Sequence, residues 1–447
     1  MVMNHRLARL TVTALACILV SFISPQLQAA VTSADVDYSF FPYRKDGFPK
    51  IEGVHPGTRI SGDNVDTFKS VLDPGTYQII KRGWYSVNVG ESEDFVLHPD
   101  YVDQSRRNTE VRIEKGNLTH YTSGRPFPFK PDEKDPNAAE KLVWNFEYGR
   151  IWGDLGCLDP WYWHYNNIKA DKTERIIKFD KACFARYAFR SVDPPKPEWA
   201  ANPEGVYRGI YIRIEEPFDL KDTQLLIHKY KDDTKQLDGW IYLGFQKRVR
   251  RFATGQMTDA FLGSDLMIED FEGYEGKVAD YTWSYQGEAT LLMPMWNHNK
   301  VIAAQKNDTY TNQADHWRYV NFTGRGKCFP DAPWQLRKVY VVEGKPKDPN
   351  HPISRRVLYF DAQINEIPVS LIYDRKGNWW KWFHIGWPNV EDTLPINKGK
   401  GADTGDTASL VDVQSEHCTA FYFHGRVDSG LGTPALFDVQ NMRSSGR

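Results

Sequence analysis

The chain has 447 residues, with 56 Lys and Arg against 58 Asp and Glu, so it is nearly neutral at a net charge of −2. That balance gives no whole-surface field for nucleic acid or anionic lipid, and excludes proteins that bind by bulk charge. Aromatic residues make up 14%, including 15 Trp and 23 Tyr. Such rings, each with at most one polar atom, suit half-buried sheets and apolar cavities equally well.

Residues 1–29 read as a secretory leader: His5, Arg6 and Arg9, then an apolar core over 10–23, then small residues Ala29 and Ala30. The core spans 14 residues, about 21 Å of helix, too short for a ~30 Å hydrocarbon layer. Cys17 belongs to that core; Ala14 stands where a lipoprotein signal needs a bulky aliphatic residue. The expected location is the periplasm.

Past the leader four cysteines remain, Cys157, Cys183, Cys328 and Cys418. An even number in an oxidising compartment favours disulfides. Three pairings are open, and proximity favours Cys157–Cys183 and Cys328–Cys418. No CxxC spacing is present, and neither metal nor cofactor is expected.

In chain order, a short helix is expected from Ser61 or Asp63, with Val65, Phe68, Val71 and Leu72 on one side and a stop at Asp73-Pro74-Gly75. A strand over 77–89 with a turn at Lys81-Arg82-Gly83 follows, then a proline-stiffened segment, Gly124-Arg125-Pro126-Phe127-Pro128. A second helix is expected from Pro136 or Asn137 to Tyr148. The run Trp161-Tyr162-Trp163-His164-Tyr165 reads as a disulfide-pinned loop packing its rings on a sheet, or as a ligand or partner surface. We divide the mature chain into an extension, 30–205, and a strand-rich core, 206–447.

Within the core, strands are expected over 207–214, 224–229, 239–245, 280–285, 289–293, 334–342, 355–361, 367–373, 378–385 and around 420–424. Asp374 to Asn378 forms a Gly-containing hairpin turn. The period of two puts Ile241, Leu243 and Phe245 on one face. With Trp283 and Tyr285 they are the candidate lining of a lumen. Lys247, Arg248, Arg250 and Arg251 continue the strand beyond its buried part; Asp259, Asp265, Glu269, Asp270 and Glu272 follow closely. The local charge is balanced, so nucleic acid is excluded as partner, and Arg248, Arg250, Arg251, Asp265, Glu269 and Asp270 are expected to pair at a sheet rim.

The order Trp240-Ile241-Tyr242-Leu243, Lys247-Arg248-Val249-Arg250-Arg251, Phe261-Leu262-Gly263-Ser264-Asp265, Glu269-Asp270-Phe271 resembles the core of bacterial outer-membrane lipoprotein-sorting proteins, the LolA-like superfamily. The rest of the mature chain is similar to the longer, poorly characterised proteobacterial relatives of those carriers. The resemblance implies a mainly β protein with a few helices (α+β), a large curled antiparallel sheet forming a LolA/LolB-like half-barrel wrapped around helices. It further implies a hydrophobic small molecule or lipid as cargo, with lipoprotein acyl chains one option. Its implied partners are an RND-type, MMPL-like exporter and an outer-membrane protein, with peripheral membrane contact.

No Gly-x-Ser-x-Gly elbow, phosphate loop, dinucleotide fingerprint or HExxH is found, and no enzyme is expected. His417, Cys418 and His424 form the best local cluster, read as a disulfide beside ordinary strand histidines. Two functions follow: a periplasmic carrier or adaptor for a hydrophobic molecule, or an assembly partner of an exporter or outer-membrane protein with no cargo of its own.

Overall fold

The structure, a computed structural model, describes residues 32–186, 205–252, 257–301, 319–427 and 430–446. Residues 1–31, with Cys17 and the stretch read as a leader, lie outside the described residues. Among the described residues there are five short α-helices: α1 (Ser33–Phe40), α2 (Pro74–Lys81), α3 (Pro99–Arg106), α4 (Ala138–Glu147) and α5 (Val439–Ser445).

Strands dominate. β1 (Arg59–Ile60), β2 (Val87–Val89) and the ribbon β3 (Arg112–Glu114) with β4 (Asn117–Thr119) precede a long hairpin, β5 (Leu155–Asn167) and β6 (Lys172–Arg186). Next come β7 (Val206–Glu216), β8 (Gln224–Tyr230), β9 (Asp238–Leu243) and β10 (Arg248–Phe252). After β11 (Tyr281–Met293), β12 (Met295–Trp296) and a ribbon of β13 (Phe322–Thr323) and β14 (Phe329–Pro330), six further strands complete the set. These are β15 (Pro333–Pro346), β16 (Ile353–Asp361), β17 (Val369–Asp374), β18 (Trp379–Pro388), β19 (Thr407–Asp412) and β20 (His417–Val427).

Sixteen strands share one sheet in the order β1-β2-β15-β16-β17-β18-β19-β20-β5-β6-β7-β8-β9-β10, with β11 beside β15 and β12 beside β18. Pairing is antiparallel except at β2–β15 and β12–β18. The sheet does not close into a barrel. β10 forms one margin, and β11 and β1 lie at the other. Inner-face residues from opposite ends of the path, Ile210 and Leu225 near one and Val339 and Phe360 near the other, belong to a single core with Leu142, Val143 and Phe146 of α4. Such a core requires the sheet to curl around its inner face. This is the mainly β, few-helix, curled-sheet architecture the sequence implied.

Local rules explain most elements. Asn137 begins α4, close to the expected 136–148 helix. The Asp73-Pro74-Gly75 signal acts as a start rather than a stop. Asp73 caps α2 by accepting from Gly75 N at 2.9 Å and Thr76 N at 3.0 Å, with Pro74 at the first helical position. The preceding element is a 3-10 turn, Val65–Val71, and the expected 77–89 strand shrinks to β2. The strands expected at 280–285 and 289–293 are one, β11, with a bulge between Tyr285 and Gly287. At Gly124, φ is +79° and a Cβ would lie 2.6 Å from Ser105 N. Glycine there lets Arg125 bury, donating to Ser39 O at 2.6 Å and Gln363 O at 2.8 Å.

The sheet takes two of its longest strands from before residue 206. β5 and β6 sit between β20 and β7, inside the segment read as an extension. The 161–165 run is therefore strand, not loop. Two features hid it: Pro160 interrupts the β5–β6 ladder between Leu158 and Trp161, and burial on both faces erases polar alternation. The disulfides are Cys157–Cys183, directly opposed across that ladder, and Cys328–Cys418, which ties the β13–β14 region to β20.

Candidate functional site

Where β5, β6, β18, β19 and β20 curve together, their inner faces leave a small apolar hollow of about 60 Å³. Leu158 and Trp161 come from β5, Phe184 from β6, and Phe383, Ile385 and Trp387 from β18. Ala408, Phe421 and Phe423 complete the sheet side, and Ile151, Trp152, Leu266 and Phe271 add to the lining from connecting segments. Strand alternation explains the lining. Phe421 and Phe423 point inward, whereas Ala420 and Tyr422 join a cluster with Tyr319 and Phe322 on the other face. Ala408 lies between Ile385 and Phe421 in register, and its small side chain leaves the room.

The walls are rigidified by rings. Trp161 stacks on Phe179 at 4.7 Å and meets Trp163 edge-on at 5.0 Å; Trp152 stacks on Phe184 at 5.4 Å. The indole N–H groups of Trp161 and Trp387 find no acceptor among the described residues. Unsatisfied buried donors of this kind cost about 1–3 kcal/mol each.

One charged group lines this apolar space. Glu272 accepts from Trp152 Nε1 at 2.7 Å, from Arg186 Nη2 at 2.7 Å, and from Arg208. Burial pushes its carboxyl up, but Arg208 and Arg186 outweigh that and hold it below the ordinary range. Arg208 also reaches Glu275 at 2.5 Å, and beyond it Lys229 pairs with Glu147 at 2.6 Å. Burial drives Glu275 up to about 7. Glu366 is buried nearby, and neither of its carboxylate oxygens has a hydrogen-bond partner among the described residues; burial, then Asp403, raises its pKa well above the usual range.

Segment 261–280, which follows the basic run, is drawn under the sheet; residues 266–278 are all buried. The expected rim pairing with Arg250 and Arg251 is replaced. Arg356 of β16 takes Glu269 at 2.8 Å and Asp270 at 3.3 Å. Asp265 fixes the segment to β20, accepting from Thr419 Oγ1 at 2.8 Å and lying 3.0 Å from His417 Nδ1. The Asp265 hydrogen bond holds the His417 pKa above its ordinary value. Arg248, Arg250 and Arg251 are exposed on edge strand β10, and Arg251 pairs with Asp238 instead.

None of the five lumen candidates is among the residues lining the hollow. Ile241 lies opposite Leu225, half-buried near the β10 margin, with Leu243 beyond it. Phe245 is 74% exposed, because the strand ends at Leu243 and a 3-10 turn begins at Gly244. Trp283 stacks on Tyr281 at 5.1 Å and donates to Val278 O at 2.9 Å, and Tyr285 meets Tyr340 edge-on. The 161–165 run, whose second reading is a ligand surface, supplies part of the wall through Trp161. Among the described residues no His, Cys, Asp and Glu side chains are grouped as metal ligands, and no helix is long and apolar enough to cross a membrane. Cys418 is in a disulfide and His424 stacks with Tyr319 at 5.7 Å.

Comparison with known proteins adds the family. A family profile described as "Protein of unknown function (DUF1329)" matches residues 59–443. The chain belongs to the DUF1329 family. This DUF1329 chain is similar to a putative outer membrane lipoprotein-sorting protein domain from Vibrio parahaemolyticus at 15% identity, covering 69% of this chain and 100% of that one, with a TM-score of 0.46. It is also similar to a DUF1329 family protein from Desulfovibrio piger at 17% identity, with 69% and 100% covered and a TM-score of 0.45. A LolA superfamily protein from Nitrosomonas europaea shares 10% identity over 68% and 98% of the two chains, at a TM-score of 0.37. No curated protein matches the DUF1329 chain.

Proposed function

We propose that this DUF1329 protein is a carrier or adaptor that holds a lipid or other hydrophobic molecule within the curled sheet, and that it works in the periplasm. The observation that carries this is the ring-lined hollow between β5, β6 and β18–β20, with one carboxylate at its edge. The hollow as it stands admits only a small apolar group, so a larger guest must part the ring walls. Each ~100 Å² of apolar surface it then buries offers ~2.5 kcal/mol before association entropy is subtracted, which suits reversible capture. An oxygen acceptor on the guest would satisfy the Trp161 or Trp387 N–H. Mechanism is burial, transfer and release, with no covalent step. An RND-type exporter as donor and an outer-membrane protein as acceptor belong to the same proposal.

The test is organic extraction of the purified protein with native mass spectrometry. A bound hydrophobe is expected, and Ala408→Leu, which fills the hollow from β19, should lose it while melting at a similar temperature. A cargo-free protein that also ignores brominated fatty acids in tryptophan-quenching titrations sinks the reading. The second reading, an assembly partner without cargo, draws on the full burial of 266–278 under the sheet. A crosslinked exporter or outer-membrane partner on a protein with no guest would favour it.

A further inference from the structure

Two phenylalanines stand in solvent: Phe218 is 93% exposed and Phe245 is 74% exposed. Phe218 lies in the connection between β7 and β8, and Phe245 in the turn Gly244–Gln246 between β9 and β10. β7 to β10 are successive antiparallel neighbours, so both connections emerge at the same end of the sheet. They abut. A Cβ at Gly244 would collide with the Lys221 carbonyl and lie 3.1 Å from Asp222 Cβ. The first turn is ordered by its own backbone: Pro217 O accepts from Leu220 N at 3.0 Å and Ile214 O from Asp222 N at 3.0 Å. Leu220 of that turn packs on the core while Phe218 does not.

The charges around the two tips are one-sided. Lys221, Lys247, Arg248 and Arg250 are exposed and form no ion pair among the described residues. The nearby acids are mostly committed: Asp219 to Arg175 at 2.8 Å, Asp222 to Arg213 at 2.7 Å and Glu215 to Lys178 at 2.8 Å. Only Glu216 stands exposed without a partner among them.

We infer that the Phe218 and Phe245 tips, flanked by these four cations, are a docking surface for an anionic lipid bilayer. Two rings on neighbouring turn tips give little flat area, whereas a stable protein interface takes about 800 Å² per partner. Sunk into a headgroup layer, both rings leave water and the cations meet lipid phosphates, each cation adding to the attraction at low salt. The basic run thus acts locally on a chain whose net charge is only −2. The inference does not rest on the hollow holding a guest.

Cosedimentation with phosphatidylcholine vesicles, with and without phosphatidylglycerol, tests it. The purified protein should pellet with phosphatidylglycerol vesicles at low salt and much less with phosphatidylcholine alone. F218S/F245S should weaken that binding at least tenfold, and K221E/K247E about fivefold or more. Both variants should melt as the native protein does, because the side chains are exposed. Ala408→Leu should bind vesicles normally, so a failed cargo reading leaves this result intact. Absence of pelleting with phosphatidylglycerol, or binding unchanged in F218S/F245S, overturns the inference. So does a dimer in sedimentation velocity that F218S/F245S dissolves in a protein that ignores vesicles.

Discussion

Two sets of arginines divide the molecule. Arg186, Arg208, Arg337 and Arg356 are buried, each facing a carboxylate: Glu272, Glu272 with Glu275, Asp361 at 2.8 Å, and Glu269 with Asp270. Arg248, Arg250 and Arg251 stand exposed on the β10 margin, and among the described residues only Arg251 has an ion-pair partner. The clustered arginines dominate the sequence to the eye, yet the scattered ones organise the interior. A charge in water costs little wherever it stands, so charges can run together at an edge. A buried charge must meet a counter-charge or, as Arg125 does, a set of carbonyl oxygens, so its position is fixed by partners far along the chain.

The contrast gives predictions of decreasing size. Arg356→Ala strands Glu269 and Asp270 in the core and should cost about 3–5 kcal/mol in urea unfolding. A loss below about 1 kcal/mol would mean that the buried pairs do not hold segment 266–278 in place. Next, C328A/C418A opens a tie across 90 residues of sequence and should cost about 2–4 kcal/mol, read from the urea midpoint without reductant. An unchanged midpoint would show that β20 keeps its cover without the bond.

A smaller effect concerns pH. Burial drops the His384 pKa from its ordinary 6.5 to about 3, and His164 likewise to about 3. The folded state therefore binds fewer protons than the unfolded chain. The stability these neutral rings contribute is present above pH 6.5 and lost as pH falls from 6.5 toward 3. Replacing His384 by Leu should flatten the drop in stability between pH 7 and 4 by on the order of 2 kcal/mol. Parallel pH profiles for the two proteins would contradict the assignment. Smallest of all, Arg250→Ala or Arg251→Ala should shift unfolding by no more than about 0.5 kcal/mol. A loss comparable to Arg356→Ala at either position would erase the division between interior and edge.

How much of the site was legible varied along the chain for physical reasons. A strand with one wet face, such as β11 with Thr282, Ser284, Gln286 and Glu288 exposed, announces itself by alternation, and helix α4 and the Asp374–Asn378 turn by their own local signals. β5 does not, because both its faces are covered and Pro160 breaks its ladder. Trp161 was visible only as part of an aromatic run, and Phe421 and Phe423 carried no signal beyond being apolar. Phe245 continued the right period but lay past the end of the strand. Glu269 and Asp270 show in the sequence as charges needing a partner, but the nearest basic run is not that partner; Arg356, some 86 positions on, is.

The sequence by itself determined a strand-rich, aromatic chain with two favoured cysteine pairs and a sheet with an apolar face, because those depend on local period, composition and spacing. Only the tertiary structure decided which faces enclose a hollow, which arginine meets which carboxylate, and which phenylalanines are left in water. Those outcomes depend on contacts between residues up to hundreds of positions apart, and no local pattern records them.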